Sequence, residues 1–174
     1  MRRFLLLFTL LFVVFLGCQE KSTQPKPSNN SADLKESLEK ANRYLVNDEE
    51  TDIQNYIERH GYEMIATGTG LRYLVLKEGT GELIQPGQKV SLAYELYDIT
   101  GDLVYSSDNE GLITFVVGKG GAVSGLDEAV RHLRKGDVAR LIVPSHLGYG
   151  LLGDQNAITD RATLIYLVKV LEVN

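Results

Sequence analysis

The sequence is poor in the residues that form disulfides or metal sites, and it lacks the positive charge that is typical of nucleic-acid-binding proteins. Its 174 residues include one cysteine, three histidines and no tryptophan. One cysteine cannot form an intramolecular disulfide, and the scattered histidines lack the spacing of a metal site. The formal net charge of −5 argues against a nucleic-acid-binding protein, which usually carries a basic face and a high pI. With 44% hydrophobic and 24% charged residues, the composition is that of a folded globular protein.

Motifs of nucleophilic and nucleotide-dependent enzymes are also absent. The sequence has no G-x-x-x-x-G-K-[ST] loop and no G-x-S-x-G elbow. The run 118–121 (Gly-Lys-Gly-Gly) lacks the last glycine of a dinucleotide fingerprint. Ser145 and His146 are neighbours in sequence, which by itself does not pair a nucleophile with a base. An enzyme with this sequence is therefore expected to work without a nucleophile, a metal or another cofactor.

The N-terminus has the pattern of a secretory signal. Arg2 and Arg3 precede a nearly continuous apolar run over residues 4–16, which is shorter than the roughly 20 residues that span a bilayer. The sequence Phe-Leu-Gly-Cys at 15–18 resembles a lipobox, and that resemblance implies cleavage before Cys18 and lipidation of Cys18. The alternative is an uncleaved anchor with an incidental cysteine.

The segment after the cysteine is typical of a tether. Residues 19–30 are rich in Ser, Asn, Gln and Pro, and no apolar residue occurs before Ala32. We expect a signal peptide at 1–17, a flexible tether at 18–31, and a protein held by lipid on a membrane of the bacterial cell envelope, at the periplasmic face or the outer membrane. Acyl chains anchor a protein because each buried methylene contributes about 0.8 kcal/mol.

A helical extension is predicted over residues 32–62. Leu34, Leu38, Ala41 and Leu45 recur at steps of four, three and four, which places them on one helical face. Asn47-Asp48 predicts a turn, followed by a second short helix. The two helices could form a homodimer, act as a lid or a spacer, or simply pack on a neighbouring surface.

From residue 63 onward a shorter period and frequent glycines predict an α+β domain that ends at residue 174. One helix is expected from Ser124, acting as the cap, to about Leu133, with a basic and glycine-containing end at 134–136. Alternation and turn residues predict six strands. These are Tyr73–Lys77, Val90–Asp98, Leu103–Tyr105, Thr114–Val117, Ala139–Val143 and Thr163–Glu172.

Six separated blocks of this domain carry a family resemblance. They include the stretch 115–129 (Phe-Val-Val-Gly-Lys-Gly-Gly-Ala-Val-Ser-Gly-Leu-Asp-Glu-Ala) and the stretch 143–150 (Val-Pro-Ser-His-Leu-Gly-Tyr-Gly). The others are 87–94, 100–107, 135–137 and 162–166. In order and spacing, residues 69–174 resemble an FKBP-type peptidyl-prolyl cis-trans isomerase. The resemblance implies a bent antiparallel sheet of five or six strands wrapped over one short helix.

What the resemblance implies about the site is an apolar pocket between the sheet and the helix. The Val123 amide and the Tyr149 hydroxyl would donate to a substrate carbonyl, and Leu126 would form the pocket floor. The implied pocket residues are Tyr94, Val104, Tyr105, Ile113, Ala122, Val123, Leu126, Tyr149 and Tyr166.

Such a pocket suits the implied reaction, because rotation about an X-Pro bond breaks amide resonance across a barrier of about 18–20 kcal/mol. The planar amide is more charge-separated than the twisted one, so an apolar pocket disfavours the ground state. The implied substrates are proline-containing unfolded or exported polypeptides, whose uncatalysed isomerisation is slow enough to limit folding.

Several positions depart from the family pattern. Leu126 stands where the floor is often Trp, Val104 replaces a wall Phe, and Tyr105 replaces the acidic residue that usually follows. Losing that carboxylate is expected to remove a hydrogen bond to Tyr149. We therefore expect weak or narrow isomerase activity, with two alternatives: a non-catalytic binding or chaperone module of an envelope or motility machine, and a dimeric scaffold. The extension, with Tyr44-Leu45 and the run 56–61, resembles that of gliding-motility-associated isomerase lipoproteins.

Overall fold

The computed structural model describes residues 31–174. Cys18, the predicted signal peptide and residues 18–30 of the predicted tether lie outside the described residues, and so the expectations about them stay predictions. The chain divides into two compact units, Met1–Lys40 and Ala41–Asn174. Within the described residues, the model contains no helix with the length and apolar character needed to cross a bilayer.

The helical extension is one helix rather than two. Helix α1 runs without a break over Ser31–His60, so the predicted turn at Asn47-Asp48 is wrong. The helical bonds continue through that point, since the Thr51 hydroxyl donates to the Asn47 carbonyl at 2.8 Å. Asn and Asp cost a helix less than about 0.7 kcal/mol each. That cost is smaller than the gain from burying Ile53 and Tyr56 one turn later.

Within the first unit, the described residues are the first ten of α1. Leu34 and Leu38 are each 62% exposed there, and Lys35 forms an ion pair with Glu39 at 3.8 Å. The predicted apolar face therefore exists as a helical face, and Leu34 and Leu38 on it are exposed to solvent.

The second unit is built on a seven-stranded antiparallel sheet. The strands follow the order β1-β2-β6-β7-β3-β4, and β5 pairs with the part of β3 that β4 leaves free. All six predicted strands are present within one residue at each end, and the short β1 was not predicted. The strands are β1 Ile65–Ala66, β2 Arg72–Lys77, β3 Lys89–Asp98, β4 Leu103–Ser106, β5 Ile113–Val116, β6 Val138–Val143 and β7 Leu164–Val173.

Three short helical segments connect the strands. Helix α2 spans Ser107–Glu110, α3 spans Ser124–Val130, and a single 3-10 turn covers Ser145–Leu147. Helix α3 was predicted, although it ends three residues earlier than expected. Its N-cap position is occupied by Val123 rather than Ser124, because the Ser124 hydroxyl donates to the Leu147 carbonyl at 3.0 Å instead of capping the helix.

The inner face of the sheet forms the main core against α3. On β3, β6 and β7 every second side chain is buried in this core, as the period of a strand requires. These side chains are Val90, Leu92, Tyr94, Leu96, Ala139, Leu141, Val143, Leu164, Tyr166, Val168 and Val170. Gly125 allows α3 to lie close to β6, since a Cβ atom at this position would be 2.4 Å from Val143 Cγ1.

The outer face of the sheet is covered by the second half of α1. Ile53 and Tyr56 form a second buried cluster with Ile142 of β6 and Ile165 of β7, whose side chains point away from the main core. As a result, apolar side chains on both faces of the central strands are buried. Of the alternatives for the extension, packing on a neighbouring surface is the one observed for residues 41–60.

Candidate active site

Eight of the nine predicted pocket residues meet in one place. Tyr94, Leu126 and Tyr166 belong to the buried main core, and the five others pack against that core while remaining half-buried. These five are Val104, Tyr105, Ile113, Ala122 and Val123. Tyr149 lies on the segment that joins β6 to β7 and is 38% exposed. The structure therefore gathers residues from β3, β4, β5, β7 and the entry to α3 around the same core.

The residues predicted to form the floor and two walls of the site are aliphatic. Leu126, in the first turn of α3, is 1% exposed. Val104 on β4 and Ile113 on β5 lie on strands that flank the same edge of β3, in which Leu92 pairs with Ile113. Aliphatic side chains offer less contact area than the aromatic residues of the family pattern.

Two tyrosines from adjacent strands, both predicted wall residues, lie near each other. Tyr94 of β3 and Tyr166 of β7 have ring centroids 6.2 Å apart, tilted by 49°. Burial raises the pKa of both hydroxyls, so both stay neutral at physiological pH. The Tyr149 hydroxyl also contributes to raising the pKa of both groups, which places the three hydroxyls in one neighbourhood.

The loop that enters α3 is held by a carboxylate. Asp127, which is buried, accepts a hydrogen bond from the Gly118 amide at 2.7 Å and pairs with Arg131. The Val123 carbonyl accepts from the amides of Leu126 and Asp127 at 3.0 and 3.1 Å. None of the hydrogen bonds among residues 31–174 uses the Val123 amide, so this donor is free to bind a ligand.

Tyr149 lies in the segment 144–163, which we name the Tyr149 loop. The Ser145 carbonyl accepts from the amides of Gly148 and Gly150 at 3.0 and 2.8 Å, one on each side of Tyr149. The Arg161 amide donates to the Gly150 carbonyl at 2.8 Å and joins the two ends of the loop. Burial raises the pKa of Tyr149, and the nearby Asp154 carboxylate adds to this effect. The hydroxyl is therefore a neutral donor.

The sequence did not predict the polar contact at Tyr105. Its hydroxyl donates to Asp154 Oδ2 at 2.5 Å, and Asn156 Nδ2 donates to the same hydroxyl at 2.9 Å. Asp154 Oδ1 accepts from the amides of Asn156 and Ile158 at 2.9 and 2.8 Å. The site was expected to lack a carboxylate because Tyr105 replaces an acidic residue; the Tyr149 loop supplies one instead. The only sequence signal was Asp154-Gln155-Asn156, which reads as an ordinary turn.

The fold is α+β, and eight of the predicted pocket residues belong to its main core or pack against it. The sequence model of one family, described as FKBP-type peptidyl-prolyl cis-trans isomerase, matches residues 81–171. The chain belongs to this family, and it is therefore a peptidyl-prolyl cis-trans isomerase whose substrates are proline-containing polypeptides.

Named relatives agree with this assignment. An FK506-binding protein of Neisseria meningitidis serogroup A is 32% identical over 99 residues, which cover 56% of this chain and 91% of that protein. A probable FKBP-type isomerase FkpA from N. meningitidis serogroup B is 32% identical over 108 residues, 62% of this chain and 39% of that protein. The crystal structure of FkpA from Escherichia coli has a TM-score of 0.64 at 25% identity, covering 82% of this chain and 67% of that one.

Proposed function

We propose that the chain isomerises X-Pro bonds of exported proteins in the cell envelope, using the pocket formed by Tyr94, Val104, Tyr105, Ile113, Ala122, Val123, Leu126, Tyr149 and Tyr166. One observation carries the assignment of the site. The apolar Leu126 lies in the main core with Val123 packed against that core, and two donors, the Val123 amide and the Tyr149 hydroxyl, make no hydrogen bond within residues 31–174.

In this proposal the proline ring rests on Leu126, between the Tyr94–Tyr166 wall and the aliphatic side chains of Val104 and Ile113. The Val123 amide binds a carbonyl of the peptide and fixes its position. The Tyr149 hydroxyl binds a second carbonyl. An apolar surrounding disfavours the charge-separated planar amide, so the twisted amide is bound better than the planar one. No proton is transferred, which agrees with hydroxyls that stay neutral.

The envelope location is part of the proposal and is supported by the sequence of residues 1–18. Lipidation of Cys18 would place the isomerase domain next to polypeptides that leave the cytoplasm. The resemblance of the extension to gliding-motility-associated isomerases adds a motility machine as a candidate client. Growth with a radiolabelled fatty acid tests the anchor, since a Cys18→Ser variant should lose the label while the wild type incorporates it.

The enzymatic part is tested by the refolding of a protein limited by X-Pro isomerisation, with no protease in the assay. The full chain in mild detergent should accelerate refolding. Leu126→Asp should abolish the acceleration, because a carboxylate on the floor destroys the apolar pocket. Leu76→Asp is the matched control, since Leu76 lies on β2 outside the pocket and is 48% exposed. Equal activity of all three proteins would contradict the pocket assignment.

Tyr149→Phe removes one exposed hydroxyl and leaves the core untouched, so it tests the same site without risk to folding. We expect a modest loss of turnover, about three- to tenfold, which is the ordinary effect of removing one hydrogen bond made in the transition state. Unchanged turnover in this variant would remove Tyr149 from the mechanism.

A second candidate function is a non-catalytic module that binds unfolded chains. The observation that favours it is the aliphatic wall of Val104 and Ile113, which gives a peptide fewer close contacts than aromatic rings would. Binding of a proline-containing peptide without acceleration of refolding would support this alternative. A homodimer through α1 is a separate proposal, supported by the exposure of Leu34 and Leu38, and the mass in solution tests it.

A further inference from the structure

The second half of helix α1 contacts the Tyr149 loop near both of its ends, and Glu49 makes most of these contacts. Glu49 Oε1 accepts from the Ser145 amide at 2.6 Å and from the Thr163 hydroxyl at 2.8 Å. Glu49 Oε2 accepts from the Ser145 hydroxyl at 3.0 Å. Ser145 follows β6 and Thr163 precedes β7, so one carboxylate joins the first and last parts of the loop.

These contacts satisfy groups that would otherwise be buried without partners. Ser145 is 8% exposed and Thr163 is 5% exposed. Each of the three donors directed at Glu49 is therefore largely withdrawn from water. Buried donors without an acceptor are costly, and a charged acceptor binds them more strongly than a neutral one. The carboxylate of Glu49 thus fixes the conformation of this part of the loop.

Ser145 connects Glu49 to the backbone on both sides of Tyr149. Its amide and hydroxyl bind Glu49, and its carbonyl accepts the amides of Gly148 and Gly150, the two neighbours of Tyr149. The path from Glu49 to the Tyr149 backbone therefore contains two intervening residues, Ser145 and one of the glycines that flank Tyr149.

A second contact acts on the other side of the loop. Arg161 Nη2 donates to the Leu45 carbonyl of α1 at 3.2 Å, and the Arg161 amide donates to the Gly150 carbonyl. Arg161 is one of two non-glycine residues among 31–174 with a positive φ, at 55°. A non-glycine residue holds this conformation only when its surroundings impose it. Helix α1 therefore constrains the backbone at Gly150 through Arg161 as well as through Ser145.

We propose that Glu49 is a positioning residue for the isomerase reaction, holding the Tyr149 loop so that the Tyr149 hydroxyl faces the pocket. The inference rests on the role of Tyr149 given under Proposed function. It assigns the helical extension a part in catalysis, because a segment that precedes the isomerase domain in sequence completes the loop that carries a pocket residue. Displacing α1 from the sheet would then lower turnover without touching the pocket itself.

The chain offers a matched control for this proposal in the next residue. Glu50 lies on the same helical turn, and its carboxylate binds Arg72 of β2 at 2.5 Å rather than the Tyr149 loop. Glu50 attaches α1 to strand β2, whereas Glu49 makes its hydrogen bonds to the loop. Glu49→Gln and Glu50→Gln therefore separate loop positioning from helix docking.

The experiment compares both variants with the wild-type full chain in two measurements. The first is hydrogen exchange of the Gly148 and Gly150 amides by NMR, which reports the bonds to the Ser145 carbonyl directly. The second is kcat and KM for isomerisation of a proline tetrapeptide without protease. For Glu49→Gln we expect exchange at both glycines to rise about tenfold. We also expect kcat to fall about three- to tenfold with KM within about twofold of wild type. Glu50→Gln weakens the docking of α1 without removing a hydrogen bond to the loop, so it should change both measurements by a clearly smaller factor than Glu49→Gln.

Unchanged exchange at Gly148 and Gly150 in Glu49→Gln would overturn the proposal, as would equal effects of the two variants. If Glu49→Gln does not fold, Ser145→Ala removes the hydroxyl bond alone and should give a smaller change in the same direction; no change would count against the proposal. If the wild type shows no isomerase activity, the proposed function fails. The exchange measurement then still decides whether Glu49 holds the loop.

Discussion

The Tyr105 hydroxyl donates to Asp154 Oδ2 at 2.5 Å and thereby joins strand β4 to the tip of the Tyr149 loop. The two residues are 49 positions apart in sequence, and each comes from an element that contributes to the pocket. Where the family pattern has an acidic side chain on β4, this chain has a phenol on β4 and the carboxylate on the opposite loop. The hydrogen bond therefore ties the Tyr149 loop to a strand that carries two of the predicted pocket residues.

Removing this contact should loosen the loop and lower turnover. Tyr105→Phe deletes the hydroxyl and keeps the ring, so we expect kcat/KM to fall about two- to fivefold, the equivalent of about one hydrogen bond. Proteolysis within residues 150–157 should become faster. The control is Tyr97→Phe, because the Tyr97 hydroxyl donates to Glu95 at 2.6 Å on the other face of the sheet. A control that loses as much turnover as Tyr105→Phe would contradict the prediction.

The hairpin carboxylate Asp98 should contribute stability that depends on pH. Although partial burial opposes it, hydrogen bonds from Thr100, Asp102 and Gly101 lower the pKa of Asp98 below its usual 3.8. A lowered pKa in the folded state means that the contribution is present above about pH 4 and is lost as the pH falls through the folded-state pKa. Asp98→Asn should therefore cost about 1 kcal/mol at pH 7 and almost nothing below the folded-state pKa.

Urea unfolding of the wild type and Asp98→Asn at pH 7, 4 and 2.5 checks this prediction. Asp52→Asn serves as a control for the loss of one negative charge, since Asp52 is exposed on α1. A difference between wild type and Asp98→Asn that does not shrink between pH 7 and pH 2.5 would show that the Asp98 carboxylate is not the group responsible.

Gly125→Ala should damage both stability and turnover. The new Cβ would lie 2.4 Å from Val143 Cγ1 and 3.2 Å from the Leu147 carbonyl, so α3 must move away from β6. Overpacking of this kind costs typically about 1–3 kcal/mol. Val123 and Leu126 lie on either side of Gly125 and should move with it, which lowers kcat/KM.

A second-site change tests that explanation for Gly125. Val143→Ala removes the methyl group that Gly125→Ala would strike, so the double variant should lose less stability than the sum of the two single variants. Additive losses in thermal or urea unfolding would mean that the steric contact is not the cause.

The ion pair of Arg72 with Glu50 should respond unequally to removal of its two partners. Arg72 is 7% exposed, and its Nε atom has no hydrogen-bond partner, whereas the Glu50 side chain is 45% exposed. Glu50→Gln leaves a buried guanidinium without its charge partner and should cost about 1–2 kcal/mol. Arg72→Met leaves Glu50 in contact with water and should cost less, as equilibrium unfolding of both variants would show. The reverse order would contradict this account.

Much of the fold could be predicted because its elements are locally encoded. Period-two alternation in 90–98 and 164–173 reflects a sheet whose inner face is buried, so all six strands were predicted closely. The prediction of a turn at Asn47-Asp48 was wrong because it considered only local helix propensity. The packing of Ile53 and Tyr56 against the sheet favours one continuous helix. Burial against Ile142 and Ile165 is a contact between distant residues, and no local pattern indicates it.

The sequence by itself determined the family and six of the seven strands, and it predicted the residues that would line the pocket, because glycine positions, alternation and motif spacing are local properties of the chain. Tertiary structure alone decided how the pocket is completed. The Asp154 carboxylate accepts a hydrogen bond from the Tyr105 hydroxyl. Glu49 accepts a hydrogen bond from Ser145, which lies 96 positions later in the sequence. A hydrogen bond depends on two atoms lying about 3 Å apart, and for residues this distant in sequence that distance is set only by the packing of helix, sheet and loop.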